Sequence, residues 1–206
     1  MKLYLFGWAS VDNNHIIQQL KLIEKVIREN NPKQVLYLPF ARSPETEIAR
    51  WEDWFIKNVN LDGIEYLNAK SSKDIAKAKN PFIIIMWWWQ TKNLLQKIHE
   101  SETLQKLIYK AEYIIWESAG AIVLAEFVRI EGNIIPGLWI IKNTIIEVHY
   151  TQRQRQSLLK KEMEETGVHY GVWIDEITGI EFELKNFPQE YKKIGEGNIE
   201  IKQKVG

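Results

Sequence analysis

The stretch that most constrains this chain is Phe82–Met86, Phe-Ile-Ile-Ile-Met, a run without a polar residue. A short run of this kind fits a strand covered on both faces, as in a parallel sheet packed between helices. Similar runs recur at Lys2–Phe6, Gln34–Leu38, Gly63–Leu67 and Tyr113–Trp116. Between them, apolar residues fall at helical spacing over Asn14–Glu29, Ser72–Ala78, Lys92–His99 and Thr103–Lys110. Ser43-Pro44-Glu45-Thr46 reads as a further helix start, with serine as cap and proline in the first turn. This alternation predicts an α/β fold with a mostly parallel sheet and helices on both faces. A helix is expected over Ala119–Phe127. The final third reads as a strand Thr144–Val148, a charged helix Arg153–Glu165, strands Val168–Ile174 and Ile180–Leu184, and an edge strand near Asn198–Ile201. Short loops and the lack of repeats predict one domain over residues 1–206.

Charge and composition exclude several classes of function. Lys+Arg and Asp+Glu both number 27, so no broad basic field holds nucleic acid or an anionic membrane surface. The chain has no cysteine, which removes disulfides, thiol catalysis and cysteine-based metal sites. No apolar run is long enough to span a bilayer, and the N-terminal one is too short for a signal peptide. The expectation is a soluble cytoplasmic protein, monomeric or homodimeric.

The first chemical signal is Ile115-Trp116-Glu117-Ser118-Ala119-Gly120-Ala121. Hydrolysis by serine needs a hydroxyl held clear of the sheet, a base within hydrogen-bond reach and donors for the oxyanion. Here a strand, a serine, a run of small residues and a helix follow in the order of a sharp strand-turn-helix elbow. Two readings of Ser118 stand side by side: a nucleophile on that elbow, or a serine capping the helix. For the base, His15 and His99 fall on helices among polar neighbours, and His169 opens a strand. His149 ends the strand Thr144–Val148, where parallel-sheet proteins gather their functional groups. For the acid, Glu176 follows Gly171–Ile174 and precedes a turn; Asp175, Glu131 and Glu147 are its rivals.

Together these pieces resemble the dipeptidase E and cyanophycinase family of serine peptidases, over nearly the whole chain. The matching elements are Leu5-Phe6-Gly7, Leu38-Pro39-Phe40-Ala41, the turn within Ile83–Asn93, and Trp116–Ala121 against the motif G-x-S-A-G-A. His149-Tyr150 with Arg153 and Arg155, and Trp173–Ile180 against G-I-D-E-x-T-x-I, complete the series. The resemblance implies a three-layer αβα sandwich of the class I glutamine amidotransferase type and a triad of Ser118, His149 and Glu176. It implies oxyanion donors at Ala119 and in the turn at Trp88-Trp89, a short peptide substrate, and no metal or organic cofactor. Arg153 and Arg155 are candidates for an acidic substrate, because guanidinium pairs bidentately with carboxylate; a solvated helix start explains them equally well.

One departure from the family pattern is systematic. Trp8, Trp87, Trp88, Trp89, Trp116, Trp139 and Trp173 occupy positions where that pattern has glycine, seven of the nine tryptophans in the chain. Glycine serves such turns because it reaches positive φ and lets other groups approach closely. Two explanations are open. The gene belongs to a lineage whose alternative genetic code reads UGA as glycine and was decoded as tryptophan, or the chain is a non-catalytic binding protein whose cleft is filled by aromatic rings.

Overall fold

Period-two alternation divides each central strand between two hydrophobic cores. The computed structural model describes residues 1–8, 13–40, 45–70, 72–85, 90–152, 154 and 156–204. Its first half runs β1 (Lys2–Phe6), α1 (Asn13–Asn30), β2 (Gln34–Tyr37), α2 (Glu45–Asn58), β3 (Glu65–Asn68), α3 (Ser72–Lys77) and β4 (Phe82–Ile85). Next come α4 (Thr91–Glu100), α5 (Glu102–Lys110), β5 (Tyr113–Glu117), α6 (Ala119–Val123), β6 (Ala125–Ile130) and β7 (Asn133–Pro136). The last part holds β8 (Ile141–Val148), α7 (Gln156–Thr166), β9 (Tyr170–Ile174), β10 (Thr178–Glu183), β11 (Lys192–Gly195) and β12 (Ile199–Gln203).

The larger sheet has seven strands in the order β11-β10-β1-β5-β4-β2-β3. Strands β1, β5, β4, β2 and β3 are parallel, while β10 and β11 extend the sheet antiparallel to their neighbours. Tyr4, Phe6, Val35, Tyr37, Phe82, Ile84 and Ile115 face one core, closed by Ile16, Leu20 and Ile23 of α1 and Phe55 of α2. Leu3, Leu5, Leu36, Ile83, Ile114 and Trp116 face the other, closed by Leu94 and Ile98 of α4 and Leu104 and Ile108 of α5. Helices thus cover both faces, giving the three layers expected. Among the described residues no helix is long and apolar enough to cross a membrane.

A second sheet of five strands, β12-β9-β8-β6-β7, was not foreseen as a separate layer. Its Val128, Ile146, Val172 and Ile174 join the core beneath α4–α6. The helix expected over Ala119–Phe127 stops at Val123, and the following residues form β6. Competing hydrogen bonds explain the difference. The carbonyls of Val123, Leu124 and Ala125 accept from the N–H groups of Leu138, Ile140 and Trp139 instead of from a continuing helix. Beyond them, Ile130 pairs with Asn133 across a two-residue turn, Glu131-Gly132, in which both residues have positive φ. That geometry suits the twist of a hairpin and favours glycine at the second position.

Arg129 ties the second sheet to its helix. Its guanidinium pairs with Glu147 on β8 at 3.2 Å and also bonds Glu162 on α7. Both acids are nearly inaccessible, so removal of the arginine takes a cation away from two buried carboxylates. Arg129→Ala is expected to cost about 3–5 kcal/mol in urea unfolding, the range for breaking a buried pair.

Candidate active site

Two residues of the site turn the chain where a strand ends. β5 finishes at Glu117, and Ser118 leads into α6 with φ +49° and ψ −114°. A non-glycine residue holds such a backbone only where its surroundings enforce it. Ser118 N donates to Phe6 O at 3.0 Å, and Ser118 O accepts from Ile122 N at 3.2 Å. The serine side chain makes no capping bond to the helix, so the helix-cap reading lacks its defining contact.

His149 follows the last residue of β8 and is also left-handed, with φ +56°. Its ring is buried, and Nδ1 lies 2.9 Å from Glu176 Oε1. With the carboxylate as acceptor, Nδ1 carries the proton and Nε2 is left as the basic nitrogen. Ser118, Ala119 and His149 line one cavity of about 480 Å³, together with Gln90–Asn93 at the start of α4 and with Arg129, Glu131 and Glu147. The cavity therefore carries both signs of charge beside a serine and an imidazole.

The rival acids have other tasks. Asp175 accepts from Thr151 N at 3.0 Å and from Asn198 N at 3.0 Å, pinning the chain just beyond His149. Burial alone would raise its pKa, but these hydrogen bonds hold it below the ordinary carboxylate range. Glu147 pairs with Arg129, and Glu131 lies in the hairpin turn. Among the described residues no group of three or more His, Asp or Glu is placed to hold a metal ion. Trp87, Trp88 and Trp89 lie outside the described residues, as do Arg153 and Arg155.

None of the four described tryptophans on glycine-pattern positions lines the cavity. Trp116 is fully buried in the core on the α4 side, and Trp8 in the core on the α1 side. Trp173 stacks on Tyr150 with ring centroids 3.8 Å apart, under the ammonium of Lys202. The indole N–H groups of Trp116 and Trp173 are buried without a hydrogen-bond partner. Trp139 is 48% exposed and has φ +58°, a backbone that bulky side chains rarely adopt.

The fold has solved counterparts at low sequence identity. One is "a peptidase from an acI-B1 Actinobacterium", with a TM-score of 0.74, 19% identity, and coverage of 97% of this chain and 89% of that one. Another is "a Putative Peptidase E Protein from Listeria monocytogenes EGD-e", with a TM-score of 0.62, 14% identity, and coverage of 95% and 98%. No family profile matches the sequence, and no curated protein does. These likenesses establish the three-layer α/β architecture.

Two residues of the site escaped the sequence reading. Arg129 lies just past the helix expected over Ala119–Phe127, in a stretch assigned to no element; the Glu131-Gly132 turn between apolar runs is the available signal. Glu117 was read only as part of the serine motif, yet it is fully buried at the end of β5.

Gly7 joins the two halves of the site. A Cβ there would stand 2.0 Å from Asp175 O, in the turn that bears Glu176. Gly7→Ala must therefore displace main chain, and a loss of about 1–3 kcal/mol is expected in thermal or urea unfolding. Gly137→Ala, which meets Ala125 O at 2.3 Å rather than the Asp175 turn, is the comparison for effects specific to the site.

Proposed function

We propose that the protein is a serine peptidase of the dipeptidase E type, acting on short peptides including those with N-terminal aspartate. The observation that carries this reading is the His149–Glu176 hydrogen bond beside a cavity that Ser118 enters on a strained turn. His149 Nε2 takes the Ser118 proton as Oγ attacks the scissile carbonyl, then returns it to the departing amine. Water repeats the sequence on the acyl-enzyme. Glu176 holds the imidazole tautomer and stabilises its charged form. Ala119 N–H, in the first turn of α6, is a donor for the oxyanion. Trp88 and Trp89 supply the second donor in this scheme, and Arg153 and Arg155 receive the acidic side chain.

Ser118→Ala is expected to lower hydrolysis of aspartyl dipeptides by at least about a thousandfold, and to abolish labelling by a fluorophosphonate. Turnover near that of the unmodified chain would reject Ser118 as the nucleophile. The competing reading, a non-catalytic α/β binding protein, needs the cleft filled by aromatic rings. The placement of Trp8, Trp116, Trp139 and Trp173 away from the cavity lining favours catalysis.

The same proposal includes the decoding of the tryptophans as glycine in the natural protein. The left-handed backbone at Trp139 and the buried indole N–H groups of Trp116 and Trp173, which lack a hydrogen-bond partner, support it. UGA codons at the seven positions are the expected gene sequence, and UGG codons would end the idea. Trp139→Gly is expected to stabilise the written chain by about 1 kcal/mol in urea unfolding, since a half-exposed ring gives up little burial when the strain is relieved.

A further inference from the structure

Asp175 stands one residue before the triad acid, yet it does not line the cavity. It lies where three strands end or begin together. Val148, the last residue of β8, pairs with Ile174, the last of β9, and Ile199, the first of β12, pairs with the same Ile174. The residues just beyond this register are His149, Asp175 and Asn198. The base and the acid of the triad therefore sit on chain that has already left the paired strands.

The Asp175 carboxylate ties these chain ends to one another. Its Oδ1 accepts from Thr151 N at 3.0 Å, two residues past His149. Its Oδ2 accepts from Asn198 N at 3.0 Å and from Asn198 Nδ2 at 3.1 Å. Asn198 O in turn accepts from Asp175 N at 3.0 Å. Both oxygens of a buried side chain are thus engaged, and bonds to an ionised acceptor are about twice as strong as neutral ones.

The turn between β11 and β12 also reaches Glu176. The Glu176 carbonyl accepts from Thr178 Oγ1 at 2.9 Å. Gly197 packs against this arrangement so closely that a Cβ there would clash with Thr178 Oγ1. The same Cβ would stand 2.9 Å from Asp175 Cβ and 3.1 Å from Glu176 O. Gly197 and Asn198 thus back the main chain on both sides of the Asp175–Glu176 peptide.

We propose that Asp175 is a positioning residue which, backed by Gly197 and Asn198, sets the distance between His149 and Glu176. The Asp175 carboxylate holds the base's chain from one side of the pair and the acid's chain from the other. The His149–Glu176 bond is 2.9 Å long, so a displacement of about 1 Å takes it out of hydrogen-bond range. An asparagine at 175 keeps the shape but not the bonding. Whichever way its amide turns, the NH2 group meets a backbone N–H, of Thr151 or of Asn198. The consequence for the reaction rests on the serine reading above; the consequence for the His149–Glu176 bond does not.

The experiment combines proton NMR of the resting protein with aspartyl-dipeptide kinetics and fluorophosphonate labelling. The variants are D175N, N198A and G197A, with E176Q as reference. An imidazole proton held by a carboxylate resonates downfield of the amide protons. The wild type is expected to show such a resonance from His149 Nδ1, and E176Q to lack it. D175N is expected to lose the resonance or move it upfield, and to lower kcat about tenfold to a hundredfold with KM unchanged. N198A keeps the backbone bonds and shows a smaller shift and a smaller fall in kcat. A residue that served stability alone would lower the unfolding temperature and leave the resonance and kcat of the folded protein as they are. If D175N does not fold, N198A and G197A decide. A wild type without the resonance overturns the proposal, as does wild-type resonance and kcat in D175N or in both N198A and G197A. A wild type that shows the resonance, loses it in D175N and never labels rejects the serine reading and leaves the role of Asp175 established.

Discussion

The arrangement depends on the main chain of Phe6, Gly7 and Trp8, where β1 runs out. Phe6 O receives the N–H of Ser118, Gly7 N reaches Thr178 O, and Trp8 O receives the N–H of Ile177. One three-residue segment therefore fixes the turn carrying the serine and the turn carrying Glu176. No side chain is needed at its centre, and none is tolerated, because the Asp175 carbonyl occupies the space a Cβ would take. The site is held by backbone on backbone, which allows two strained residues, Ser118 and His149, to keep left-handed conformations.

The larger sheet was legible because its strands are buried on both faces and need apolar residues at successive positions. The second sheet was harder to see for a physical reason. β6 follows a helix of five residues, and Ala-Glu-Phe-Val continues the helical pattern well enough to hide the break at Leu124. The break comes from long-range bonds to residues 138–141, which no local window contains. His149 and Glu176 were legible as residues at strand ends, but their pairing required β8 and β9 to lie side by side. The burial of Glu117 was illegible locally: a glutamate in a serine motif looks the same whether it meets water or the core.

The tryptophans separate into different physical situations. Trp116 and Trp173 are enclosed and leave an indole N–H without a partner, a cost of about 1–3 kcal/mol each for a buried polar group. Trp139 sits half-exposed on a left-handed backbone. A cleft evolved to be filled by aromatics would have rings lining the cavity with their N–H groups satisfied. Trp8, Trp116, Trp139 and Trp173 do not line it, and Trp116 and Trp173 leave their N–H groups unsatisfied; glycine there would remove those two orphan donors and, at Trp139, the strain.

Glu117 and Glu176 stand at or just beyond the ends of strands that build the site, but in different surroundings. Glu176 meets the His149 imidazole at 2.9 Å. Glu117 is fully buried, and burial pushes its carboxyl up to about 8 against the smaller, opposing effect of the Gln19 amide. The difference arises from which side of the sheet each residue faces. On the cavity side, the charges of Arg129, Glu131 and Glu147 are available to a polar substrate. On the α1 side, Glu117 has no hydrogen-bond partner for either oxygen, so a charge there would lose its hydration without return.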